Sequence, residues 1–334
     1  MRFATYTEDA GAARAGVVSD AGIHPLPPDV TVLDLVRSGL PAALAAGDRA
    51  LGQPAVPLRA VRLLPPLEPP TVRDFVAFEE HVEGVAASVG GTAGSAHVVP
   101  EWYQAPTFYF TNPYALVGAY DDVPVPPGSE LFDFELEVAV VVGRGSASRN
   151  VNGASLTPEQ AREHIFGYTV LNDWSARDLQ RREMKVQLGP AKGKDSATTL
   201  GPWLVTADEL EPYRDADGFL ALDLRASVNG ERCGQDLLSN MGWPFEELIA
   251  YASRGTEVRA GDVLGSGTCG NGGCLAELWG RRGRTDPPPL RPGDVVELTV
   301  EGIGTVRNRV VAGLTLPPVR AARDRSVPRV RKRG

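Results

Sequence analysis

Cysteine is scarce in this chain, with only Cys233, Cys269 and Cys274 among 334 residues, an odd number without the paired spacing of a thiolate metal site. Neither a disulfide framework nor a zinc cluster organises the fold; reduced structural thiols are expected, with a Cys269–Cys274 bridge as the alternative. Histidine is nearly as rare. His24, His81, His97 and His164 are scattered and carry no zinc signature. No apolar run approaches the roughly 18 residues of a membrane span, and the opening MRFATYTEDAGAARAG lacks the apolar core of a signal peptide. These absences point to a cytoplasmic protein with no membrane partner. No sequence period recurs, which argues against a solenoid. The net charge is −8, and Arg320–Gly334 holds seven basic residues against one acid, so the body is more acidic than the whole. An acidic body disfavours nucleic acid as a partner, and residues 317–334 read as a basic, disordered tail.

What is present is ordinary for a globular protein: 43% hydrophobic and 23% charged residues. The length exceeds that of most single cores, so a small domain over 1–64 and a larger one over 65–316 are expected, joined through Pro65-Pro66-Leu-Glu-Pro69-Pro70. Strand-like pieces at Arg2–Thr7 and Ala13–Val18 precede a helix over Thr31–Ser38, capped by Thr31. Apolar residues at 75, 78 and 82 fit a helix across Val72–Glu83. A second helix starts at Thr157-Pro158-Glu159, with Pro in the first turn. Further on, strand-like runs dominate (Trp203–Thr206, Leu220–Val228, Val263–Gly265, Cys274–Trp279, Val295–Val300), with a helix within Ser239–Tyr251. The fold class is therefore α+β, predominantly β, with a rolled mixed sheet as its core.

The densest chemistry lies between residues 132 and 180. Glu135 and Glu137 stand two apart in the apolar run Phe134–Val142, and two-residue periodicity puts both carboxylates on one face of a strand. Buried acids need a cation or strong hydrogen bonds, although a Glu-x-Glu strand is also how a solvated sheet face looks. A second apolar run, Ile165–Leu171, ends at Asn172-Asp173. Three such carboxylates suit Mg²⁺, Mn²⁺ or Ca²⁺ better than Zn²⁺.

Four blocks in order carry a resemblance to the fumarylacetoacetate hydrolase family: Glu135-Leu-Glu137, Asn172-Asp-Trp-Ser-Ala-Arg-Asp178, Gly193-Lys194 through Thr198-Thr-Leu-Gly-Pro-Trp203, and Gly267-Thr268-Cys-Gly270 with Pro292-Gly-Asp294. The resemblance covers roughly residues 60–316. It implies a fumarylacetoacetase-like fold with a small N-terminal α/β domain, metal ligands Glu135, Glu137 and Asp173, and catalytic residues Lys194 and His81. Lys192 is the nearby lysine without that role. Arg177, Gln180 and Thr268 take the places of substrate contacts; the plainer role for Arg177 is an ion pair with Asp178 or Glu183. The carboxylate that orients His81 is Asp74, Glu79 or Glu83, and shorter family members favour Glu83. Asn112 stands where a lysine is common, which removes a cationic substrate contact.

The glycine-rich stretch 84–100 reads either as a surface loop or as a lid over substrate, and Gly265–Gly273 as an anion-binding nest. The resemblance implies a homodimeric, Mg²⁺-dependent (or Mn²⁺- or Ca²⁺-dependent) hydrolase. It would cleave a carbon–carbon bond in a 1,3-diketo or 2-oxo acid of aromatic catabolism, such as an acylpyruvate or fumarylacetoacetate. Decarboxylation, hydration and keto–enol isomerisation are the alternatives on the same site, and a catalytically inactive ligand-binding homologue is the non-enzyme alternative.

Overall fold

The computed structural model describes residues 1–8, 11–90, 98–145, 153–323 and 326. Three short strands, β1 (Arg2–Thr7), β2 (Arg14–Ser19) and β3 (Gly22–Pro25), form an antiparallel meander followed by α1 (Val32–Ser38) and α2 (Leu40–Leu51). α1 begins where the sequence places it. The Asp34 N–H donates to Thr31 Oγ1 while the Thr31 N–H donates back to Asp34, a reciprocal cap that satisfies two otherwise unpaired donors. The same device, between Thr157 and Gln160, starts the helix Pro158–Arg162.

The segment after the proline-rich stretch departs from its helical reading. Val72–Phe75 is a strand, β4, and helix α3 (Glu79–Gly90) begins only at Glu79. The periodicity is real, but Val72 and Phe75 are strand formers with sheet partners available on both sides, and pairing outweighs a weak local preference. There follow β5 (Phe108–Thr111), β6 (Leu136–Val142), β7 (Ile165–Asp173), α4 (Arg177–Met184), β8 (Thr198–Thr206) and β9 (Val263–Gly265). A second correction falls at Cys274–Trp279, which is not a strand but the start of helix α5 (Leu275–Arg282). Cys274 Sγ accepts the Glu277 N–H at 3.4 Å, and buried Leu275, Ala276 and Trp279 recur at helical spacing. Gly283, at φ 63°, ends it.

These strands build an eleven-stranded mixed sheet whose main path runs β3-β2-β1-β8-β7-β6-β9-β4-β5. The N-terminal strands are one edge of that sheet, since β1 pairs with β8, and Phe3, Leu35, Ala139 and Val141 share one core. The opposite face packs against a second, five-stranded sheet and the helix Phe245–Ser253, with Val138, Val140, Leu224, Leu248 and Val296 in a larger core. β6 is therefore buried on both sides, which explains its unbroken apolar run. Glu137 is the exception within it. The observed class is α+β with sheet predominating, as expected.

Candidate metal centre and active site

Register decides which polar side chains meet. β6 and β7 are antiparallel with Leu136 opposite Asn172, so Glu135 and Asp173 become neighbours: the Asp173 N–H donates to the Glu135 carbonyl at 3.3 Å, and the Glu135 N–H to Asn172 Oδ1 at 2.9 Å. Glu137 follows two residues on. Asp74 arrives from β4 by way of β9, where Gly265 pairs with both Ala139 and Asp74. Asp74, Glu135, Glu137 and Asp173 are each at most 4% exposed, and each offers an oxygen within 4.8 Å of the others. One feature of the backbone permits this approach. A β-carbon at Gly265 would lie 2.5 Å from Asp74 Oδ1 and 2.7 Å from Glu137 Oε2. The Gly265→Ala variant is therefore expected to push these oxygens apart and to weaken Mn²⁺ binding about tenfold or more, read by calorimetric titration. Unchanged affinity would remove Gly265 from the site.

Two cations enter, Lys194 from a loop and Arg177 from the start of α4. Glu183 on α4 accepts the N–H groups of Ala191, Lys192 and Gly193 at 2.8, 3.0 and 3.0 Å, which turns Lys194 inward. Lys194 Nζ donates to Glu135 Oε2 and, at 2.7 Å, to Asp173 Oδ2. Lys192 points outward to Asp195. Arg177 lies 2.7 Å from Glu135 Oε1, donates to Asp133 Oδ2 at 2.8 Å and reaches Gln180 at 3.2 Å. Its partners are thus Asp133 and Glu135, not Asp178 or Glu183. Asp178 binds Ser129 and the Glu130 N–H instead.

The charges do not balance. Burial raises Asp74 to about 8, helped by Asp173, and raises Glu137 well above the ordinary carboxylate range, helped by Asp74. Burial also raises Asp173, to about 6, against the pull of Lys194. Glu135 alone is held low: burial pushes it up, but Lys194 and Arg177 outweigh that. Burial opposes the Lys194 charge too, yet Asp173 and Glu135 keep its pKa above the usual value. Asp74 Oδ1, Glu137 Oε2 and Asp173 Oδ1 are buried without a hydrogen-bond partner. An uncompensated buried ion costs several kcal/mol, so this all-oxygen set fits a divalent cation that would replace shared protons.

His81, 7% exposed, sits in the first turn of α3 with Nδ1 3.8 Å from Cys274 Sγ. Burial lowers its pKa to about 4 despite the opposing charge of Glu135. Of its three proposed carboxylate partners, Asp74 lies in the acidic cluster, Glu79 accepts the Tyr103 hydroxyl, and Glu83 is exposed. Another buried acid, not named from the sequence, lies nearby and is paired with Arg281 at 2.7 Å. Glu277 on α5 is fully buried, and its Cγ would lie 2.4 Å from a β-carbon at Gly84, one turn beyond His81. Its signal was an acid inside the apolar run Cys274–Trp279. Tyr109, whose hydroxyl donates to Asp173, and Asp133, which accepts the Leu275 and Ala276 N–H groups at 2.8 and 3.0 Å, were also missed.

Thr268 reaches Glu137 Oε1 at 3.4 Å. The N–H groups of Ser266, Cys269, Gly272 and Gly273 are already bonded within the protein, which leaves little of the expected nest. Asn112 accepts the Tyr114 N–H. The three cysteines are free. Residues 91–97 of the glycine-rich stretch, including His97, and most of the basic tail lie outside the described residues.

Four converging carboxylates with a buried lysine, on the strands of a mixed sheet, define an α+β protein with an acidic cluster that could hold a hard cation. The family profile described as "Fumarylacetoacetate (FAA) hydrolase C-terminal" matches residues 71–311, and the chain belongs to the fumarylacetoacetate hydrolase family. It is 30% identical over 262 residues to the oxaloacetate tautomerase YisK of Bacillus subtilis, covering 78% of this chain and 76% of that one. Identity to the fumarylacetoacetase of Arabidopsis thaliana is also 30%, over 65% of this chain, which spans 60% of that protein's length. Among solved structures, a probable 2-hydroxyhepta-2,4-diene-1,7-dioate isomerase from Mycobacterium abscessus superposes with TM-score 0.69 at 26% identity, covering 94% of this chain and all of that one. A Sphingobium maleylpyruvate hydrolase, solved with manganese(II) and pyruvate, shares the fold at TM-score 0.67 and 22% identity, over 94% of this chain and all of that one.

Proposed function

We propose that this protein is a divalent-metal-dependent enzyme that hydrolyses a carbon–carbon bond in a 1,3-diketo or 2-oxo acid of the acylpyruvate type. The observation that carries the reading is the convergence of four buried carboxylates with Lys194, since cleavage of such a bond leaves an enolate that needs positive charge at its oxygens. Asp74, Glu135, Glu137 and Asp173 would hold Mg²⁺ or Mn²⁺, which supplies Lewis acidity to the adjacent oxygens of the substrate. His81, kept neutral by burial, takes the proton of the water that attacks the distal carbonyl. As the C–C bond breaks, its electron pair passes into the enolate, Lys194 stabilises the oxyanion, and a proton returned to carbon completes the release of a pyruvate-type product. Arg177 positions Glu135, and Gln180 and Thr268 face the substrate. Glu277, the buried acid that α5 brings to α3, is a better partner for His81 than exposed Glu83.

Tautomerisation of a 2-oxo diacid is the second reading, favoured by the similarity to YisK over most of both chains. Turnover of an acylpyruvate, followed as loss of enol absorbance with products identified, separates the two: hydrolysis yields pyruvate and a carboxylate, tautomerisation yields neither. His81→Ala is expected to lower kcat by about 10² to 10⁴ while Mn²⁺ binding persists. Full activity in that variant would end the role of His81. A cytoplasmic homodimer serving aromatic catabolism accords with the family resemblance, and sedimentation equilibrium tests the dimer.

A further inference from the structure

Apart from the metal centre, a recess of about 320 Å³ opens between the start of α3, the turn Trp102–Gln104 and Met241–Trp243. Aromatic rings bound it. Trp102 stands edge-on to Trp243, with centroids 4.7 Å apart, and to Tyr103 at 5.0 Å. The Trp102 Nε1–H donates to the Val76 carbonyl at 2.7 Å, which fixes the central ring in place. Glu79 and Glu80 share the lining. Glu79 is engaged by the Tyr103 hydroxyl, but Glu80 Oε2 is buried without a hydrogen-bond partner.

Behind this wall lies a second carboxylate with one unpartnered oxygen. Asp236, 5% exposed, keeps Oδ2 unpartnered, while its Oδ1 accepts from Asn240 at 2.6 Å and from Asn271 at 3.1 Å. Asn240 itself lines the recess, and both Glu80 Cβ and Asp236 Oδ2 pack against Gly270. Among the described residues, no lysine or arginine lines the recess. Nor do these acids converge as a metal set: among the described residues, only the Asp74 group does so. Ring faces beside uncompensated carboxylate oxygen are the surroundings that a desolvated organic cation finds favourable. We infer that this recess binds a small organic ammonium ion, held over the indole rings and paired with Glu80. The inference is independent of the reaction carried out at the metal centre.

Titration of the full-length protein with choline and with its uncharged isostere 3,3-dimethylbutan-1-ol, followed by tryptophan fluorescence and calorimetry, tests it. Choline is expected to bind at least about tenfold more tightly than the isostere, and Glu80→Gln to remove that preference. Trp243→Leu is expected to weaken choline binding similarly, with Mn²⁺ affinity serving as the check that each variant is folded. Equal binding of choline and its isostere, undiminished choline binding in Glu80→Gln, or no saturable binding to the wild type would overturn the assignment.

Discussion

Glu137→Gln is expected to abolish tight divalent-metal binding and to lower turnover at least about a thousandfold, equivalent to about 4 kcal/mol of transition-state stabilisation. Glu137 is wholly buried, lies opposite Asp74 across the Gly265 backbone and has one oxygen with no partner. Burial and the neighbouring Asp74 push its pKa well above the ordinary carboxylate range, which favours the protonated form when no metal is bound. An amide has the shape of that protonated acid. The variant should therefore unfold within about 0.5 kcal/mol of the metal-free wild type, yet gain nothing from added Mn²⁺. Thermal melts with EDTA and with Mn²⁺, beside an enol-absorbance assay, measure both effects. Wild-type metal affinity in this variant would sink the four-carboxylate site.

Lys194→Met should separate charge from shape in the opposite direction. Lys194 is 4% exposed and serves two carboxylates, Glu135 and Asp173. Removing one partner of a buried ion pair costs about 3 kcal/mol or more, because the other is left uncompensated. We expect the metal-free variant to melt well below wild type, and saturating Mn²⁺ to restore much of the difference, since a dication supplies the missing positive charge. Turnover should still fall about 10² to 10³-fold, the loss of one preorganised oxyanion donor. An equal loss of stability with and without metal would show that Lys194 acts by packing, not by charge.

Much of this site was legible in the chain. Glu135 and Glu137 declare themselves because ionisable groups inside an apolar strand have no inexpensive resting place, and Asp173 because a second apolar run ends on it. Lys194 and His81 were found through family motifs, not through spacing. Asp74 was recognised as important but assigned to His81. Its true neighbours are reached through β9, nearly two hundred residues later in the chain, and no local pattern encodes that crossover. Glu277 was hidden for a similar reason, since the apolar content of Cys274–Trp279 suits a buried strand as well as a buried helix face.

The sequence by itself determined what short-range physics controls: the capped helix starts at Thr31 and Thr157, the α+β class, and the candidate oxygen donors Glu135, Glu137 and Asp173. Tertiary structure alone decided the rest. Whether Val72–Phe75 pairs as a strand, and whether Asp74 joins the other three carboxylates, both depend on partners distant in sequence. Pairing and desolvation energies are set only when those partners meet.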